Sequence, residues 1–162
     1  CPKSNAKFGH RTAPLERFLD NNLRVGLGSD SVASNNTCDI LEEARFAILV
    51  ARSRDDKKRL LTAKEIVETM TLGGAKALQL EDAIGSIEVG KQADLVALSL
   101  KNIAQQPVHE IYSSLLFAST SRDVISTIVA GKEIYRDGAS KTIDENELKL
   151  EVKMIARKMQ VP

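Results

Sequence analysis

Residues 25–36 read VGLGSDSVASNN, a short apolar run that stops at an aspartate and gives way to small polar residues. Val25 and Leu27 alternate with Gly26 and Gly28, which predicts a buried strand over residues 24–28, while Ser29, Asp30, Ser31, Ser34, Asn35 and Asn36 predict a loop. The carboxylate of Asp30 is thereby set at a strand's exit. In α/β proteins reactive groups gather there, because loops converge and the strand fixes the side chain. The residues alone leave a second reading open, since aspartate also accepts bonds from nearby backbone amides in turns and caps. Ser34, Asn35 and Asn36 carry the same ambiguity: they suit the rim of a polar pocket and equally the cap of the helix that follows.

Upstream, Thr12, Ala13 and Pro14 predict a helix start, with Leu15, Phe18 and Leu19 as its apolar stripe and Asn21 and Asn22 at its end. CPKSN at residues 1–5 reads as a strand passing into a loop, so the chain is expected to be a fragment. The short connection from helix to residue 24 predicts an alternating α/β arrangement. Downstream, Ile40, Ala44, Ala47 and Ala51 recur at helical spacing over residues 39–53, joined by Leu41 and Ile48, with Glu42, Glu43 and Arg45 toward polar surroundings. Thr62 and Glu65 form a capping-box pattern for a helix that turns Ile66, Val67 and Met70 inward. Gly73 and Gly74 are expected to break it before a short helix at residues 75–78.

From Ile84 the texture changes, and a second domain is expected to begin. GSIEVGKQADLVALSL carries glycines at turn positions and a strand pattern over residues 95–99; residues 124–129 and 133–136 predict a hairpin turning at residues 130–132. Residues 109–118 between them read as helix. In residues 144–159, Leu148, Val152, Ile155 and Met159 share one helical face, which predicts a surface helix docked on the body.

Composition narrows the function classes. The chain has 162 residues and is 43% hydrophobic, enough for one ordinary domain or parts of two. A net charge of +1, from 23 basic and 22 acidic residues, gives no field for holding a phosphate backbone or an anionic membrane. No nucleic-acid and no membrane partner is expected. The longest apolar run, residues 46–51, is far short of the roughly 20 residues of a spanning helix. Cys1 and Cys38 form neither a disulfide framework nor a paired zinc spacing, so a cytoplasmic setting is expected. His10 and His109 have no partner at ligand spacing and read as surface residues. Without a histidine pattern to activate it, neither cysteine reads as a nucleophile.

Residues 1–36, DILEEARFAILVA at 39–51, GGAKAL at 73–78 and GSIEVGKQADLVAL at 85–98 resemble, in order and spacing, the C-terminal half of metal-dependent amidohydrolases. The resemblance runs on through VISTIVAGKEIYRDG to TIDENEL, and its nearest group is the cytosine- and adenosine-type deaminases and chlorohydrolases, including methylthioadenosine/S-adenosylhomocysteine deaminases. It implies an α/β fold: the last strand–helix units of a (β/α)8 TIM-like barrel at residues 1–83, a share of a small β-sandwich at 84–140, and a C-terminal docking helix at 141–162. It also implies that Asp30 is the strand-eight aspartate, which approaches or ligates a divalent metal and takes a proton from the water the metal activates. Zinc is the expected metal, with iron as the variant. Such a cation brings the pKa of bound water to about 7, and an adjacent carboxylate can pass the released proton on. Loss of ammonia, or of chloride in some members, follows.

The resemblance further implies a small heterocyclic amine as substrate, with Ser34, Asn35 and Asn36 as candidate contacts, and a homo-oligomeric assembly. One departure is visible: the family commonly places glycine after this aspartate, and Ser31 stands here. The family's histidine ligands lie upstream of anything in this sequence. One carboxylate does not hold a catalytic zinc, so this chain alone is expected to be inactive and not to retain the metal. The alternative is a non-catalytic scaffold or assembly module derived from such an enzyme.

Overall fold

The computed structural model describes residues 1–54 and 59–159. The first part is helical: α1 (Pro2–Lys7), α2 (Leu15–Asp20), α3 (Val32–Asn35), α4 (Ile40–Ser53) and α5 (Ala63–Glu68). A π-helical turn, Thr69–Gly73, carries α5 directly into α6 (Gly74–Ala77). The second part holds β1 (Leu95–Leu98), α7 (Ile111–Ser113) with a π-helical turn after it, β2 (Val124–Val129), β3 (Lys132–Arg136), β4 (Ala139–Ser140) and α8 (Glu145–Met159). The described residues are thus α/β, with one four-stranded antiparallel sheet among them in the order β1-β2-β3-β4.

The core is built around α4. Asp39 starts this helix by accepting bonds from the amides of Leu41 (2.9 Å) and Glu42 (3.1 Å), which satisfies donors that have no partner inside the helix. Ala44, Ala47, Ile48 and Ala51 then pack with Leu15, Leu61, Ala63, Ile66 and Leu116. The expected capping box is present: the Thr62 hydroxyl accepts from the Glu65 amide at 3.2 Å, and Glu65 accepts from the Thr62 amide at 2.8 Å. Arg45 ties the two parts of the chain together, donating to the carbonyls of Leu116 (2.9 Å) and Ser119. The hairpin turns on Ala130 and Gly131, both at positive φ (48° and 79°), the backbone that a tight two-residue connection requires. Asp94 accepts from the Ala130 amide at 2.6 Å and pins that turn to the start of β1.

Several expectations are corrected. Residues 1–5 are not a strand end: Pro2 opens helix α1, for which its fixed φ is suited. Thr12 does not cap α2, whose N-cap is Pro14 without a side-chain bond. Residues 24–28 enter no ladder among the described residues, since a strand is defined by a neighbour. Gly73 and Gly74 do not break the helix; both keep helical angles, and a Cβ on Gly73 would lie 2.8 Å from the Val25 carbonyl oxygen. A Cβ on Gly26 would lie 2.7 Å from the Gly74 Cα. Glu43 faces inward with 0% exposure rather than toward solvent. Helix α8 buries none of its residues, so it is undocked among the described residues. The far end of the expected docking segment, residues 160–162, lies outside them.

Candidate functional site

Val25 and Leu27 pack half-buried against the α4 core, so the segment that carries Asp30 is anchored by its own apolar side chains. It ends abruptly. Asp30 has φ +64°, a left-handed backbone that few non-glycine residues adopt, and this turns the chain sideways. Ser31 follows as the N-cap of α3, its hydroxyl accepting from the Ser34 amide at 3.3 Å. The Ser31 amide donates to Asp30 Oδ1 at 2.7 Å. Asp30 itself is exposed. The Ser31 amide, and after it the hydroxyls of Ser4 and Ser34, hold the Asp30 carboxyl below its ordinary pKa, which favours its anionic form. The cap of α4 is Asp39, which relieves Ser34, Asn35 and Asn36 of that role.

Those three residues part company in the structure. Ser34 stands half-buried beside Asp30, and its carbonyl accepts from Lys7 Nζ at 2.7 Å. Asn36, exposed and left-handed at φ +71°, also takes a bond from Lys7 through Oδ1. Asn35 turns inward with 1% exposure. Its amide nitrogen donates to the Ser29 carbonyl at 2.6 Å and to Glu43 Oε1, while the nearby Thr37 hydroxyl gives its proton to Glu42 Oε2 at 2.6 Å. Glu43 Oε2 takes the Lys3 amide at 3.2 Å, which draws α1 onto α4. Lys3 Nζ reaches Glu42 at 2.7 Å.

Sequence reasoning missed Glu43, Lys3 and Thr37. For Glu43 a signal existed, because it lies one helical turn before Ala47 on the apolar face. For Lys3 none did, since its bonds to Glu43, Thr37 and Glu42 join segments more than 30 residues apart. Cys1 and Cys38 are exposed free thiols, and His10 and His109 are exposed. A cleft of about 570 Å³, lined in part by Arg24, Val25, Glu65 and Lys76, lies at the opposite end of the 24–28 segment from Asp30. The described residues bring together no group of three or more His, Cys, Asp or Glu side chains suited to a metal. As a donor, the exposed Asp30 carboxylate fits one position around a zinc-class cation. No helix among the described residues is long and apolar enough to cross a membrane.

Comparison with known proteins gives the site its context. A 5-methylthioadenosine/S-adenosylhomocysteine deaminase of Thermodesulfovibrio yellowstonii is 35% identical over 148 residues, 91% of this chain and 34% of that protein. The protein of the same description from Pyrococcus horikoshii is 36% identical over 91% of this chain and 35% of its own length. Among solved structures, a zinc-bound adenosine deaminase of Xanthomonas campestris superposes with a TM-score of 0.92 at 34% identity, over 98% of this chain and 36% of that one. Guanine deaminase of E. coli superposes at 0.74 with 28% identity, over 84% of this chain and 33% of its own. The chain therefore spans about a third of the length of the proteins it matches. Residues 1–134 match the Amidohydrolase family, and the chain belongs to it.

Proposed function

We propose that this chain is the C-terminal portion of a metal-dependent hydrolase that deaminates a heterocyclic amine such as an aminopurine, an aminopyrimidine or a related nucleoside. Residues 1–83 supply the last strand–helix units of a TIM-like barrel, residues 84–140 a share of a β-sandwich, and residues 141–162 the terminal helix segment. One observation carries the reading: an exposed, anionic Asp30 is set at the exit of an anchored segment, in a chain 34% identical to an adenosine deaminase with bound zinc.

When bound, a zinc-class cation supplies a water whose pKa lies near 7. Asp30 is the group of this chain that takes the proton from the attacking water and returns it to the departing nitrogen. Its carboxylate suits that work because the Ser31 amide fixes one oxygen while the group stays exposed. Ser34 and Asn36 stand on the substrate side of the loop, with their positions set by Lys7. Asn35 is oriented away from that side, toward Glu43. Because Asp30 is a single ligand and a catalytic zinc takes about three from protein, this chain alone is inactive and the remaining ligands belong to the rest of the polypeptide.

The test uses the full-length protein. Zinc is measured by elemental analysis, and ammonia release is followed over a panel of aminopurines, aminopyrimidines and aminotriazines. The expected result is a stoichiometric divalent metal, with Asp30→Asn lowering turnover by about 10²–10⁴-fold. A metal-free protein whose behaviour is indifferent to Asp30→Asn overturns the hydrolase reading and leaves a scaffold.

A further inference from the structure

Asp30 sits on strained backbone at the tip of a segment with no ladder partner among the described residues, so something else must hold that tip. The bonds that do so converge on two buried side chains. Asn35 Nδ2 grips the carbonyl of Ser29, the residue immediately before Asp30, at 2.6 Å. The same nitrogen donates to Glu43 Oε1, and Glu43 Oε2 takes the amide of Lys3 at 3.2 Å. Glu43 is 0% exposed and Asn35 1%. A carboxylate so deeply placed costs stability against an apolar residue of the same shape, and its retention makes sense where it fixes one arrangement among several. Here it fixes the orientation of the Asn35 amide: with Glu43 accepting, the nitrogen and not the oxygen must face Ser29.

We propose that Asn35 and Glu43 are positioning residues that hold Asp30 at its working height through the Ser29 carbonyl. The inference deepens the reading of Asp30 given above and rests on it. The chain of contact is short and directional: the Glu43 carboxylate orients the Asn35 amide, the amide holds Ser29, and Ser29 is bonded to Asp30. Neither Asn35 nor Glu43 touches the reacting atoms.

Three variants of the full-length protein test this: Asn35→Ala, Asn35→Asp, and the polarity swap Asn35→Asp with Glu43→Gln. Asn35→Ala is expected to lower kcat and zinc affinity by about 10–100-fold, the usual size for groups that orient a ligand from behind, with KM changed less than about twofold. Zinc affinity is read by chelator competition, so it does not depend on turnover. Asn35→Asp places two carboxylates face to face and lowers Tm further. The swap restores a hydrogen bond between positions 35 and 43 and is expected to recover part of the Tm that Asn35→Asp loses. It cannot recover kcat or zinc affinity, because an aspartate at position 35 has no N–H to give to Ser29.

Return of kcat together with Tm in the swap overturns the proposal and leaves the pair a purely structural role. A rise in KM with unchanged kcat in Asn35→Ala also overturns it, since that is the mark of a group in contact with substrate. If the swap does not recover Tm, Asn35→Ala assayed well below its own melting temperature decides the matter through zinc affinity and the split between kcat and KM. Asp30→Asn is run beside these variants. Full activity in Asp30→Asn sinks the reading of Asp30 itself, whereas an inactive Asp30→Asn beside an unaltered Asn35→Ala sinks only the present inference.

Discussion

Helices α4 and α8 are near equals in length, 14 and 15 residues, and each has an aspartate cap, acidic residues in the first turn and basic residues in the last. Both are amphipathic. Yet α4 buries Leu41, Glu43, Ala44, Ala47, Ile48 and Ala51, while α8 buries nothing, and Leu148, Val152, Ile155 and Met159 are each at least 44% exposed. Capping and periodicity are properties of a single stretch of chain and decide whether a helix forms. Burial depends on what stands opposite. For α4 the opposing surface is supplied by α2, α5 and the turn after α7; for α8 no described residue supplies one that buries it.

The contrast can be broken by substitution. Ile48→Ala and Ile66→Ala, at sites with 0% exposure, are each expected to cost about 2–5 kcal/mol in the full-length protein, measured by denaturant titration. Next in size is Gly26→Ala, at about 1–3 kcal/mol by the same measurement, because the new methyl meets the Gly74 backbone rather than a movable side chain. Asp39→Ala removes the cap of α4 and is expected to cost about 1 kcal/mol.

A smaller effect is expected in acid. The Lys3 ammonium, then the Thr37 hydroxyl, hold the Glu42 carboxyl below its ordinary value of 4.5. Since the folded pKa is the lower one, the pair's contribution is complete above the unfolded value and disappears as pH falls through the folded value. Glu42→Gln should therefore flatten the acid-side loss of stability below about pH 4.5, by an amount reduced by the partial exposure of the pair. Smallest of all is Ile155→Ala on α8, expected to stay within about 0.5 kcal/mol. A cost there equal to that of Ile48→Ala would show that the rest of the polypeptide gives α8 the opposing surface that this chain does not.

What was legible in the sequence follows the same division. Features decided within a few residues were readable: the Thr62–Glu65 box, the span of α4, the hairpin at Ala130 and Gly131, and the extent of α8. Features decided by a distant neighbour were not. Gly73 and Gly74 read as breakers because a glycine pair weakens a helix locally, while in the structure both stay helical, Gly73 closing on the Val25 carbonyl and Gly26 on the Gly74 backbone. Glu43 read as a surface acid because its acceptors' partners, Asn35 and Lys3, come from other segments. The apolar alternation at residues 24–28 predicted a buried strand, and the segment is half-buried and unpaired among the described residues. Asp30 was legible as a residue at the end of that segment, and its functional assignment needed the family resemblance. Nothing local announced its left-handed backbone or the Asn35 grip on the carbonyl before it.

The crossing of Gly26 and Gly74 has a consequence for the far end of the segment. Two backbones meet there with only hydrogens between them, so their separation is a mechanical stop rather than a cushion of side chains. Asp30 stands four residues beyond that stop, and the depth at which its carboxylate emerges is therefore metered from a point that carries no chemistry of its own.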